Sequence, residues 1–438
     1  MDDFLAARLQ MALSLGFHII FACIGMVMPF FMAVAHYKWL RTRDVLYKNL
    51  TKAWSKGVAI FFATGAVSGT VLSFELGLLW PTFMKHAGPI FGMPFSLEGT
   101  AFFIEAIALG FFLYGWERFN RWFHWFTGVV VGISGLASGI LVVSANGWMN
   151  SPAGFDYVDG KFLNIDPIAA MFNDAWLTQA LHMTLAAFAA TGFAVAGVHA
   201  AMIYQGKNIL FHKNAFIIAA LFGSVAALLQ PISGDLSAKD VAQRQPAKLA
   251  AMEAHFFTQK SAPLLIGGIP DVENKKVDYA IELPGMLSFL AHGDLDAEVK
   301  GLDTIPASDQ PPVPVVHYAL QIMVGCGVLL MIFAVVFLLG LWRKNWFKRK
   351  WFLMLYIISI PLGFIAIEAG WTVTEVGRQP WIIYGIMRTS EAVTPMAGIV
   401  WSFYLFTAVY ISLSVAVIFL LHRQIKMVPK IYDTPHKL

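Results

Sequence analysis

Nine runs of mostly apolar residues dominate the sequence: 10–35, 57–80, 95–116, 123–146, 177–204, 214–232, 316–341, 352–374 and 396–421. All but the sixth exceed the ~20 residues that a helix needs to cross a hydrocarbon layer ~30 Å thick. Of the 438 residues, 58% are hydrophobic and only 13% are charged, whereas soluble domains carry ~25% charged residues. An ordinary cytoplasmic enzyme, a disordered chain and a basic nucleic-acid binder are thereby excluded. The fold class expected is an all-α integral membrane protein, a bundle of nine transmembrane helices. The sixth run is the weakest, since Pro231 and Gly234 are expected to end it early. The chain opens Met-Asp-Asp with no small-residue cleavage site, so the first run is not read as a signal peptide.

The bases orient the bundle. Alternate connections (36–56, 117–122, 205–213, 342–351 and 422–438) hold 19 of the 31 Lys and Arg residues and only three acids, Asp44, Glu117 and Asp433. By the positive-inside rule these connections face the cytoplasm, with the N-terminus outside and the C-terminus inside. The chain then divides into helices 1–6 (residues 1–232), one long external loop (233–315), and helices 7–9 with a cytoplasmic tail (316–438). Within the loop, 246–257 begins with Pro246 and reads as a short helix; the rest shows little regular pattern. No internal repeat is visible, which weighs against a secondary transporter.

The two cysteines, Cys23 and Cys326, sit inside apolar runs, and no CxxC or CxxCH occurs. This excludes a disulfide framework, a thiolate metal site and covalently attached haem. The 37 Phe and 14 Trp exceed what lipid-facing surfaces require and suit the packing of flat groups inside the bundle.

Ionisable residues inside spans are costly, face the bundle interior and mark function. His18 lies on the first run, roughly 12 Å in from its outer end at 1.5 Å per residue. His182 lies near the outer end of the fifth run and Met323 a third of the way into the seventh. Glu75 lies on the second run. Glu98 and Glu105 are seven apart, on one face of the third run. Glu368, Trp371 and Glu375 share a face of the eighth, and Ser138 and Asn146 lie on the fourth. Each has a plainer reading: a single buried His is as often a helix–helix hydrogen-bond partner, and Met is common core filler. Together, most of them at a shared depth in the outer half with Glu105 nearer the middle, they suit haem. His and Met form the axial pair of low-spin electron-transfer haems, while a single strong ligand leaves an iron face open for oxygen. The spacings His18/His36 and His182/His199 are eighteen and seventeen, unlike the roughly fourteen-residue pairs that stack two haems in the cytochrome b subunits of quinol–cytochrome c reductases.

The run IEAGWTVTEV-GRQPW (367–381) closely resembles the signature of subunit I of the bd-type quinol oxidases. RLQMALSLGFH, GPIFGMPFSLEGTAFFIEA, ANGWMNSP, KLAAMEAHFFTQ, GGIPD and QIMVGCG resemble further blocks in the family's order. The likeness extends from about residue 5 to 425. It implies that His182 and Met323 are the axial ligands of a low-spin haem b. His18 then serves one of two high-spin haems and Glu375 the other, with Trp371 packed nearby. Glu98 is implied beside the oxygen-reducing haem, Glu105 and Ser138 in proton routes, and Lys248 and Glu253 in quinol oxidation at the external loop. Arg378 and Arg8 are implied as partners of haem propionates, a role suited to the guanidinium fork. The loop is short, Gln321 stands where many members have Arg, and SFELGLLWP occupies the second run. These features resemble the cyanide-insensitive branch, so the third haem is left open between haem d and a further haem b.

The function expected is thus the haem-bearing subunit of an electrogenic quinol:oxygen oxidoreductase of the bacterial cytoplasmic (inner) membrane. Quinol would be oxidised outside and O2 reduced to water with cytoplasmic protons. The resemblance implies a second membrane subunit (subunit II) and leaves a small single-span subunit open. Two other readings stand beside it: a haem-free proton-coupled transporter, and a quinol dehydrogenase that does not reduce oxygen. Neither uses the His/Met pair together with the singly placed His18 and Glu375.

Overall fold

The computed structural model describes residues 1–207, 209–343, 346–393 and 397–432. The start of the ninth expected span at 396 and the last six residues of the expected tail lie outside them. Among the described residues nine helices are long and apolar enough to cross a membrane.

Four long helices come first: α1 (Asp3–Thr42), α2 (Val45–Leu79), α3 (Pro81–Tyr114) and α4 (Arg121–Asn150). Their starts follow from local chemistry. Asp2, Asp44 and Asn120 each accept a hydrogen bond from a backbone N–H of the first turn, at 2.7, 2.9 and 2.9 Å, satisfying donors that a helix leaves free. A small hairpin, β1 (Asp156–Val158) with β2 (Lys161–Leu163), and the short α5 (Pro167–Met171) lead to α6 (Trp176–Tyr204) and α7 (Ile209–Arg244). The next connection carries α8 (Pro246–Met252), β3 (Gln259–Lys260), the hairpin strands β4 (Leu264–Asp271) and β5 (Lys276–Leu283), α9 (Met286–His292) and β6 (Glu298–Val299). Strand β3 pairs with β6 and β4 with β5, both antiparallel. The chain ends through α10 (Val313–Trp342), α11 (Lys350–Ser359), α12 (Leu362–Val376), the hairpin β7 (Trp381–Ile383) and β8 (Met387–Arg388), α13 (Thr389–Ala392) and α14 (Ile399–Tyr432). Helices α11 and α12 together form the eighth span, parted at Ile360–Pro361.

Three expectations need correction. Pro231 and Gly234 do not end the sixth span, since α7 runs unbroken through both to Arg244. Proline is tolerated there because packing against α6, the most extensive helix pair in the molecule, outweighs one lost backbone bond. The long loop therefore starts at 245 rather than 233. It is also more regular than its sequence suggests, with a short helix on either side of a hairpin of two eight-residue strands. Finally, α3 starts at Pro81 instead of 95 and includes Pro89 and Pro94, which puts Glu98 near its middle.

The core explains the close fit of α6 and α7. Ala187, Ala190, Ala196 and Ala200 on α6 are fully buried, as are Ala215, Ala219 and Ala220 on α7. Small side chains let helix backbones approach where lipid provides no hydrophobic drive for association. At the tightest point a Cβ on Gly192 would lie 2.5 Å from Gly223. Many rings pack on one another at the base-rich end, where Tyr356 sits among Phe193, Phe216 and Phe352.

Candidate functional site

The polar residues inside the helices fall into three sets by chemistry. The first consists of the two histidines near the base-poor end. His18 Nδ1 on α1 lies 2.9 Å from Ser68 Oγ on α2. Ser68 Oγ also lies within donating distance of the Thr64 and Gly65 carbonyls, at 2.9 and 3.2 Å. With the hydroxyl donating to either carbonyl, its oxygen accepts from Nδ1, and Nε2 is the nitrogen left for a metal. The same device recurs on α6 and α7. His182 Nδ1 lies 3.0 Å from Ser233 Oγ, and Ser233 donates to the Gln230 carbonyl at 2.9 Å. The Gln230 amide nitrogen stands 3.2 Å from His182 Nε2, so ligation there displaces a neutral amide. A histidine that binds metal has its second nitrogen held in this way. Met323 on α10 faces Gly370 on α12, where a Cβ would come within 3.0 Å of its sulfur. Helices α6 and α10, which carry His182 and Met323, both pack on α7 and α12.

The other histidines of similar spacing are engaged differently. His36 stacks between Trp39 and Trp116. His199 shares a 2.8 Å contact with His212 and accepts from Trp54 at 3.2 Å.

The second group is acidic. Ser138 on α4 donates to Glu98 on α3 at 2.9 Å. Two turns further along the same face, Glu105 lies buried against Gly135, whose absent side chain leaves its carboxyl room at 3.3 Å. Glu75 is fully buried and accepts from Gln10 at 2.8 Å, with its second oxygen unpartnered among the described residues. Glu368 sits opposite Gly16, where a Cβ would be 2.9 Å from its Oε2. Trp371, on the same face of α12, is half-buried against the main core.

The third group joins α4, α8 and the GRQPW segment. Glu375 accepts from Asn146 through one oxygen and from Arg378 Nη2 through the other, the latter at 2.6 Å. Arg378 is 2% exposed, yet its Nε and Nη1 have no partner among the described residues. Lys248 is buried on α8, and its ammonium donates to Asn150 Oδ1 at 2.7 Å. Burial, reinforced by Arg378 and opposed by Glu375, pulls its pKa down to about 7. Glu253 caps the far end of the same helix. It too is buried, with Oε2 unpartnered among the described residues, and burial pushes its carboxyl up to about 8. Arg8 stands apart from Arg378. It lines a groove of about 290 Å³ with Phe4, Gln379, Pro380 and Arg388.

The loop is braced on α10. His317 Nδ1 lies 2.9 Å from the Met252 carbonyl and its Nε2 3.2 Å from that of Gly267. Gln321 accepts from Gly267 N at 2.9 Å and donates to the Leu265 carbonyl at 3.0 Å.

The sequence reading missed Ser68, Ser233, Gln230, Asn150 and Gln245. Ser68 and Ser233 stand fifty or more positions from the histidines they serve, and no local pattern marks them. Asn150 lies within ANGWMNSP, so the quoted block contained it without a role.

The donor set fits haem on this structure's own evidence. Two imidazoles have Nδ1 against a serine hydroxyl, a thioether faces a glycine, and a buried guanidinium has two nitrogens without a partner among the described residues, able to take a carboxylate of a bound group.

The family model described as cytochrome bd terminal oxidase subunit I matches residues 6–429. The chain is 36% identical to the putative cytochrome bd menaquinol oxidase subunit I of Bacillus subtilis, with 96% of each chain covered. It is 31% identical to the cytochrome bd ubiquinol oxidase subunit 1 of the same organism, over 97% of this chain and 94% of that one. The solved bd oxidase of Geobacillus thermodenitrificans superposes with a TM-score of 0.92 at 39% identity, over 97% of this chain and 98% of that one. A match over nearly the full length in sequence and in fold places this multi-pass membrane protein in the cytochrome bd terminal oxidase subunit I family.

Proposed function

We propose that this chain is the haem-bearing, quinol-oxidising subunit of a membrane quinol:oxygen oxidoreductase. The observation that carries the reading is the repeated imidazole–serine pair, in which Nδ1 of His18 and of His182 lies against a serine hydroxyl and Nε2 is the nitrogen left for iron. His182 and Met323 would hold a low-spin haem b. His18 and Glu375 would each serve a high-spin haem, the third being haem d or a further haem b. Arg378 would take a propionate through Nε and Nη1, and Arg8 another. Glu375 is engaged by Asn146 and Arg378, so its service as a ligand rearranges that pair. When bound, the haems supply the electron path from quinol to oxygen.

The chain's own residues handle quinol and protons. Glu253 accepts a quinol proton at its unpartnered Oε2, and Lys248 orients a quinol oxygen through its ammonium. Both sit on α8 at the base-poor end, which the positive-inside rule reads as external. Glu98, held by Ser138, and Glu105, further towards the base-rich end, pass protons from the cytoplasmic side. Water then forms from cytoplasmic protons while quinol protons leave outside, so turnover separates charge without a pump. A second membrane subunit, and in some assemblies a small single-span one, completes the oxidase in the bacterial cytoplasmic membrane.

Met323→Leu tests the reading. The purified variant should keep its fold and lose the low-spin signature in its reduced-minus-oxidised spectrum. An unchanged spectrum removes Met323 as a ligand, and a preparation without haem by pyridine haemochrome analysis overturns the whole reading.

A further inference from the structure

Asn150 is the last residue of α4 and is 3% exposed. Its carboxamide is used completely. Oδ1 accepts from Lys248 Nζ at 2.7 Å and from Gln245 Nε2 at 3.2 Å. Nδ2 donates to the Asn146 carbonyl at 2.9 Å and to Asn146 Oδ1 at 3.0 Å. Gln245 also donates to the Asn150 backbone carbonyl at 2.7 Å, which ties the end of α4 to the start of α8.

The direction of these bonds is not free. An ammonium has donors only, so Asn150 must turn Oδ1 towards Lys248 and its amide nitrogen away. Asn146 must then turn its own Oδ1 towards Asn150, and its nitrogen meets Glu375. Flipping either amide sets donor against donor at one end and acceptor against acceptor at the other. The result is one directed chain, Lys248 to Asn150 to Asn146 to Glu375, closed from the far side by Arg378. A bond from a buried ammonium to a neutral acceptor is of the charge-assisted kind, about twice as strong as a neutral one.

We propose that Asn150 is a positioning residue for quinol oxidation: its carboxamide holds the Lys248 ammonium in place and joins it, through Asn146, to Glu375. The proposal rests on the reading of Lys248 as a quinol residue. Without Asn150 the Lys248 side chain keeps its burial against Gly377, where a Cβ would be 3.0 Å from its Cγ, but loses the acceptor that aims its head.

The test uses the purified oxidase and a soluble quinol, with Lys248→Met, Asn150→Leu and the double variant. Steady-state kcat and KM are measured beside haem content and the oxygen or carbon monoxide response of the dithionite-reduced protein. N150L is expected to lower kcat/KM for quinol by about tenfold to a hundredfold, the worth of one hydrogen bond to a charged group. Haem content and the response of the chemically reduced protein should stay at wild-type level. The double variant should lose no more than K248M alone, because Asn150 acts through Lys248. Wild-type quinol kinetics in N150L, or additive losses in the double variant, overturn the proposal. Wild-type kinetics in K248M instead overturn the assignment of Lys248 itself. Asn150→Asp covers a failure of N150L to assemble, since it keeps an acceptor for Lys248. Recovery of quinol KM to within about twofold of wild type supports the positioning role, and a loss as deep as that of K248M refutes it.

Discussion

Lys248 and Glu253 stand at opposite ends of α8, and burial moves their pKa values past each other, to about 7 and about 8. On the proposed roles of these two groups, the pH dependence of quinol oxidation is therefore calculable. A Glu253 that must accept a proton is active when ionised. With a pKa near 8 it is ionised in about a tenth of molecules at pH 7 and in about nine-tenths at pH 9, a rise of about tenfold. A Lys248 that must carry charge is active when protonated. With a pKa near 7 it is charged in about half the molecules at pH 7 and in about a hundredth at pH 9, a fall of about fiftyfold. The product peaks near pH 7.5, where each group is in its active form in about a quarter of molecules and the pair in about one in sixteen. From pH 7 to pH 9 the net change is a fall of about fivefold.

The perturbation that separates the two slopes is Lys248→Met. Its loss of the charge lowers the rate at every pH and removes the descending limb, so quinol turnover should then rise continuously to pH 9. Glu253→Gln should do the reverse, leaving a weak activity that only falls as pH increases. The assay is oxygen uptake with a soluble quinol across pH 6–9.5, in parallel with reoxidation of the dithionite-reduced protein by oxygen, which bypasses α8 and should keep one pH profile in all three proteins. A descending limb that survives in K248M would refute the argument that this ammonium sets it. An ascending limb that survives in E253Q would do the same for the carboxyl.

Two further outcomes follow from packing and hydrogen bonding. Ser233→Ala removes the hydroxyl that holds His182 Nδ1 and, on the proposed ligation by His182, should weaken haem retention there about 10- to 100-fold, read as haem loss during dilution or gel filtration. Gly192→Ala forces a methyl to within 2.5 Å of the Gly223 backbone and should part α6 from α7. A destabilisation of about 1–3 kcal/mol would appear as a lower thermal midpoint in detergent.

The bundle was legible because its signal is repeated in nearly every residue of nine runs. The ends were less so. Proline at 231 predicts a stop from local chemistry alone, yet α7 continues because its partner α6 supplies packing that no local rule contains. Candidate ligands stood out as single polar letters on an apolar background, whereas their supporting partners did not. Ser68 and Ser233 are ordinary letters in helices that contain several other serines and threonines, and only the fold brings each to an imidazole. The burial of Lys248 was likewise invisible. A lysine in a polar loop reads as solvated, and it takes α4, α8 and the turn at Gly377 together to enclose it.

The brace between the loop and α10 has a consequence for how the oxidase can be inhibited. His317 and Gln321 grip the loop beside Glu253 and along the hairpin, and Met323 follows two residues later on the same rigid rod. A compound that wedges the loop outward must drag that end of the rod with it, and the thioether moves too. On the proposed roles of Glu253 and Met323, occupancy of a quinol site at α8 would then be visible as a change of colour at a distance, so that inhibitor binding could be titrated optically with neither quinol nor oxygen present.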